Sequence, residues 1–167
     1  EEQLSIPPLP RSIFYDVEFR PHVGTLAIGA ADRIIEWDLA TNSAIQMLVL
    51  PGAIVQDLAF SPDGNLLVVG EASGVRLIDW ENNQELPLYI TDVPNNEVLF
   101  SVDGATVAYR SEVGDDIALR NINQNSPIQI KERGVSEPSS DIEFSADGQM
   151  LWVVMPNGIE IYNGVTG

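Results

Sequence analysis

The chain has 167 residues, of which 25 are acidic and only 8 basic, giving a formal charge of −17 at pH 7, and 44% are apolar. That is enough apolar material for a folded core, but the charge leaves no basic patch of the kind phosphate binding requires, which excludes a nucleic-acid partner. With no cysteine there are no disulfides or thiolate metal ligands, and no apolar run approaches the ~20 residues that span a bilayer, so membrane insertion is not expected.

Residues 1–10, with Pro7, Pro8 and Pro10, read as an extended lead-in. The chain starts at Glu1 without methionine, so either a leader has been removed or these residues belong to something longer. From there the sequence superimposes on itself. Four segments, starting at Asp16, Asp57, Glu97 and Asp141, each carry an acidic residue, an aliphatic one, a variable one, a phenylalanine, a turn ending in glycine, and an apolar run. The phenylalanines, Phe19, Phe60, Phe100 and Phe144, are spaced by 41, 40 and 44 residues, and the turn glycines, Gly24, Gly64, Gly104 and Gly148, by 40, 40 and 44. A second block closes on Asp38, Asp79, Asn121 and Asn163, spaced by 41, 42 and 42. Two parallel registers make this a repeat of whole units, approximately 13–50, 54–91, 95–131 and 139–167.

Within a unit the first block alternates, with Leu58 and Phe60 on one side of Ala59, as a strand of period 2 does. The Ser-Pro-Asp-Gly turn at 61–64 suits a hairpin, since proline presets φ and glycine supplies φ > 0. In that turn Asp63, Asp103 and Asp147 are expected to cap the backbone. The next run is apolar at successive positions, the mark of a strand covered on both faces. A third strand alternates at Val75, Arg76 and Leu77, and a fourth is expected at Ile45–Leu50, Leu86–Ile90 and Pro127–Lys131. No stretch holds a helical period. Four short antiparallel strands in every ~40 residues make an all-β chain of β-propeller blades.

The Phe-Ser-Pro-Asp-Gly run at 60–64 and the Trp37-Asp38 pair resemble the WD40 repeat family, over nearly all of the chain after Tyr15. The resemblance implies a WD40-like propeller of four-stranded sheets that serves as a binding scaffold. Departures are clear: the Gly-His dipeptide of the family is absent, and Ile78-Asp79, Arg120-Asn121 and Tyr162-Asn163 replace Trp-Asp in the later units. The family's Asp–His–Ser–Trp hydrogen-bond network therefore cannot form in full, and the blades are expected to rely on apolar packing.

The last unit stops where its third strand turns, so its fourth strand is missing, and residues 3–6 or 12–14 are candidates for a closing outer strand. Three ring states follow: part of a larger propeller, half of an eight-bladed homodimer joined through open ends, or a closed four-bladed monomer. Leu151, Val153 and Ile161 are expected on the exposed face of the last blade.

The sequence offers no catalytic constellation. His22, the only histidine, sits in a turn and reads as an exposed turn residue, and no nucleophile elbow or phosphate-cradling loop occurs. Asp115-Asp116 lacks the alternating oxygen ligands of a calcium loop. Arg76, Arg110 and Arg120 are expected to pair with acidic neighbours. No cofactor is implied. The function expected is a non-catalytic protein-interaction scaffold that presents rim loops to a protein partner; the alternative is the sensory or regulatory portion of a larger signalling or cell-surface protein. The rim formed by second-to-third and fourth-to-first connections holds Asp32, Arg33, Glu71, Asp92, Asp115, Asp116, Glu132 and Arg133, and Trp80 is added as an exposed contact. The long stretch from Glu132 to Ser140 is the favoured partner element.

Overall fold

A computed structural model of the chain describes residues 13–91, 95–111, 117–123, 127–131 and 141–163. Among the described residues every regular element is a strand, and the strands form four separate antiparallel sheets. Strands β1 (Phe14–Phe19), β2 (Thr25–Ala30), β3 (Arg33–Asp38) and β4 (Ser43–Val49) make the first blade in sequence order. The second holds β5 (Val55–Phe60), β6 (Leu66–Glu71), β7 (Gly74–Asp79) and β8 (Gln84–Thr91). The third holds β9 (Asn95–Phe100), β10 (Thr106–Ser111), β11 (Ile117–Asn121) and β12 (Pro127–Lys131). The fourth has three strands, β13 (Asp141–Phe144), β14 (Met150–Met155) and β15 (Gly158–Asn163).

The first strands β1, β5, β9 and β13 lie next to one another, which places them innermost and the fourth strands outermost. Composition follows that order. Pro87 and Pro127, which cannot donate to a ladder, occur only in outer strands with one free side. The second strand of the second blade is buried from Leu67 to Glu71 without alternation, because the neighbouring blades cover both of its faces. The core lies between the sheets: Ala27 and Ile34 of the first blade meet Val55, Leu58, Phe60, Leu67, Val69, Ile78 and Trp80 of the second. Val68, Val75 and Leu77 of the second blade likewise meet Val98, Val107 and Tyr109 of the third.

The Ser-Asp turns are built as their residue types require. Ser61 Oγ donates to Asp63 Oδ1 at 2.6 Å, and that oxygen also receives the Asn65 N–H at 3.1 Å. Ser101/Asp103 and Ser145/Asp147 repeat the bond at 2.6 Å. The serine hydroxyl first, then the backbone N–H, holds all three carboxyls below their ordinary range. Gly64 needs to be glycine twice over: its φ is +73°, and a Cβ there would lie 2.9 Å from the Pro21 carbonyl oxygen.

The first turn departs from the register expected of it. Gly24 is five residues after its phenylalanine, whereas the other turn glycines are four after theirs. Its carbonyl receives the Leu39 N–H, as those of Asn65 and Ala105 receive Trp80 and Ile122. Gly24 is therefore the counterpart of Asn65, and the left-handed turn conformation falls on His22, at φ 64°.

The four blades form an open arc, not a closed four-bladed ring, and both end faces are exposed. The face of the last blade is the expected one for Ile161 but not for Leu151 and Val153, which are fully buried against the third blade, while Trp152, Val154 and Ile159 face outward with Ile161. A run apolar at every position hides which alternate set meets the neighbour.

Candidate functional site

Two surfaces are assembled from several blades at once, a rim and an axial face. The rim carries the β2–β3, β4–β5 and β6–β7 connections. Backbone bonds tie them together: Leu50 N–H donates to the Asp32 carbonyl at 2.7 Å and Ala72 N–H to the Ile54 carbonyl at 3.0 Å. Asp32 and Arg33 are half-buried there and form a two-pronged ion pair of 2.7 and 3.1 Å. The Arg33 donor holds the Asp32 carboxyl below its usual range. Ile54 is exposed beside them.

Two rim expectations fail on burial. Glu71 is only 1% exposed, locked to Arg76 Nε at 2.7 Å, so it supports the blade and offers nothing to a partner. Trp80 is 0% exposed. Its ring meets Phe60 edge-on at 6.0 Å, and its indole N–H donates to Glu36 Oε2 of the preceding blade at 2.9 Å. Asp92, Asp115, Asp116, Glu132 and Arg133 lie outside the described residues, as do the 132–140 connection and the 1–10 lead-in.

Glu36 is the centre of a polar node that the sequence reading missed. The carboxylate is 2% exposed and receives Thr25 Oγ1 at 2.7 Å and Arg20 Nη1 at 3.2 Å as well as Trp80. Arg20 also donates to the Gly64 carbonyl at 2.8 Å. A buried charge is tolerable only when paired and hydrogen-bonded, and here the pairing crosses from the first blade to the second. Apolar packing between the blades is present as expected, and this polar node is added to it. Of the three arginines, Arg76 pairs with Glu71 and Glu85, and Arg110 with Glu97 at 2.9 Å. Arg120 does not follow them in full, since its Nε is buried with no acceptor among the described residues.

The axial face is lined by the innermost strands. Each of β1, β5 and β9 has a register shift just before an acidic residue, Asp16, Asp57 and Glu97. Such a bulge re-aims the side chain that follows, and all three carboxylates reach forward to the next blade. Asp16 accepts the Leu58 N–H at 2.9 Å, Asp57 that of Val98 at 2.7 Å, and Glu97 that of Ile142 at 3.2 Å. A polar cavity of about 420 Å³ opens beside them, lined in part by Glu18, Asp57, Glu97, Arg110 and Glu143. Burial, and to a lesser degree the neighbouring Asp16, pushes Asp57 up to about 7. Burial and the bond to Asp141 push Glu97 up to about 7 against the pull of Arg110. Burial, then Asp16, raises Glu18 as well. Asp57 and Glu97 are therefore kept partly neutral near pH 7, chiefly by burial. Among the described residues no three His, Cys, Asp or Glu side chains are grouped to hold a metal ion, and no helix is long and apolar enough to cross a membrane.

The crystal structure of the Cps50 (Swd1) β-propeller domain of Myceliophteria thermophila superimposes with a TM-score of 0.78, over 95% of this chain and 55% of that one, at 18% identity. The fold is that of a β-propeller. The four blades thus span little more than half of that domain. In sequence, the chain is 28% identical over 145 residues to the intraflagellar transport protein 122 homolog of Danio rerio, covering 87% of this chain and 12% of that protein. No family model matches.

Proposed function

We propose that this chain is a non-catalytic protein-interaction scaffold whose contact surface is the rim formed by residues 31–33, 50–54 and 72–73. The observation that carries the reading is the pair of backbone bonds that hold three connections, from two blades, in one continuous edge. A surface assembled that way is rigid, and it presents the Asp32–Arg33 pair beside the exposed apolar Ile54. Recognition sites combine an apolar anchor with charged neighbours in this manner. The net charge of −17 favours a basic protein surface as partner.

Affinity capture with paired variants tests this. Arg33→Glu with Ile54→Asp should abolish partner retention, while Asn82→Ala, on the opposite rim, should leave it intact. Equal retention by both variants would rule out the rim.

A second reading is favoured by one observation, that the chain spans 12% of the Danio rerio relative's length. In it this arc is the sensory or regulatory portion of a larger signalling or cell-surface protein. The intact mass of the polypeptide from its native source separates the two readings. A homodimer through the open ends is compatible with either, because the end faces are not part of the rim.

A further inference from the structure

We infer that the two end faces of the arc are the two halves of one blade-to-blade interface. A second copy of this chain closes them, with Asp141 of each copy accepting the backbone N–H of Val17 of the other.

Positions that are buried where two blades meet have equivalents that are exposed at the two ends of the arc. On the opening face, strand pairing aligns Phe14, Val17 and Phe19 with Val55, Leu58 and Phe60 of the second blade. The three in the second blade are at most 6% exposed, packed on the first blade; the three in the first blade are 43%, 54% and 66% exposed. On the closing face, Trp152, Ile159 and Ile161 align with Ala27, Ile34 and Glu36. Those three contact the second blade or its Trp80 and are at most 2% exposed, whereas their counterparts are 40%, 58% and 53% exposed. Each end carries an apolar hollow, of about 400 Å³ at Phe14, Val17 and Ile28 and about 350 Å³ at Trp152, Val154 and Ile159.

The axial latch gives these faces direction. Every internal junction is fastened by the acidic residue of one inner strand and the N–H that follows the acidic residue of the next. Continued by one step in each direction, the same rule leaves Asp141 as the acceptor at one end and the Val17 N–H as the donor at the other. Asp141 is exposed, and like Asp57 it is hydrogen-bonded to the preceding acid. The chain therefore carries both members of the missing junction. Two arcs related by a two-fold axis satisfy both ends together, and the eight blades that result lie within the usual range of about 4 to 8.

Light scattering on the intact chain at about 1 to 100 µM tests the closure, with twice the 18.2 kDa chain mass expected. Asp141→Ala should raise the dissociation constant by about tenfold or more, while Asp141→Asn, which keeps an accepting oxygen, should stay near the parent value. Because the chain has no cysteine, Asp141→Cys with Val17→Cys is expected to give a covalent dimer on mild oxidation. Asp16→Cys with Leu58→Cys, the same pair within one chain, calibrates whether that spacing bridges. A single-chain mass at every concentration, with a native strand spectrum, overturns the proposal and assigns the end faces to blades of a longer polypeptide. A doubled mass that Asp141→Ala leaves unchanged overturns the latch. Arg33→Glu on the rim should not alter the mass, so failure here and failure of the rim reading are separate results.

Discussion

The second and fourth blades are built from nearly the same sequence pattern, yet they are buried differently. The second strand of the second blade is covered from Leu67 to Glu71, whereas its counterpart in the fourth alternates, with Leu151 and Val153 buried and Trp152 and Val154 exposed. Both runs are apolar at successive positions, up to Glu71 in the second blade. The difference lies in the neighbours: one sheet has a blade on either side and the other on one side only. An apolar run in a repeat protein thus records the interfaces a unit is made for, whether or not both are filled.

The largest expected effect that probes this contrast is truncation of the two tryptophans. In the single-chain state, at a dilution where the end faces are not closed by a second copy, Trp80→Ala should destabilise the chain by about 3–5 kcal/mol, whereas Trp152→Ala, at a face open in that state, should cost roughly 1 kcal/mol or less. Denaturant unfolding of the two variants at that dilution measures both, and equal losses would mean that the fourth blade stays covered even there. Next is the node that fastens the second blade to the first. Glu36→Ala should cost about 3 kcal/mol, because Arg20 is left as a partly buried charge and the Trp80 N–H loses its acceptor. The corresponding position in the fourth blade, Ile161, should tolerate alanine within about 1 kcal/mol in the same assay.

The axial carboxyls sharpen the comparison through pH. Asp57 and Glu97 are both raised to about 7, so their neutral forms are favoured in the fold. The stability they confer is complete below their unfolded values near 4 and is lost as pH rises through about 7. Asp16, Glu18, Arg110, Asp141 and Glu143 face the same strands and modulate the midpoint. The turn carboxyls Asp63, Asp103 and Asp147 act oppositely, since they are lowered and their contribution is lost as pH falls below about 4. The melting temperature should therefore be highest near pH 4–5 and decline toward pH 8, with Asp57→Asn flattening the decline. A melting temperature that rises from pH 5 to 8 would contradict the sign. The smallest effect is local. Ser61→Ala and Ser145→Ala should cost the same, about 0.5–1.5 kcal/mol each, since the turn is closed by its own residues in both blades.

How much of this was legible without coordinates depends on the range of each interaction. The four units, their strands and the Ser-Asp turns involve residues at most a few positions apart, and spacing reveals them. The role of Trp80 was hidden because its acceptor, Glu36, is 44 residues earlier, and nothing local distinguishes an indole seeking a buried carboxylate from one facing solvent. The placement of Leu151 and Val153 was hidden because a strand apolar on both sides gives no parity. Gly24 was misaligned because the first turn has the same length as the others but carries its glycine one position later, where Asn65 stands in the second blade. Asp32 and Arg33 were found on the rim where connection order put them, but burial removed Glu71, which belongs to the same connection.

The forward reach of the inner carboxylates gives the chain a polarity that its sheets alone would lack. Because each repeat holds a hook for its successor and an eye for its predecessor, copying a repeat in tandem supplies a matched fastening at both new seams. Lengthening or shortening such an array by gene duplication requires no fresh surface to be invented, only that the order of copies be kept. A reversed copy would set hook against hook, with two carboxylates competing for a backbone that offers neither a donor.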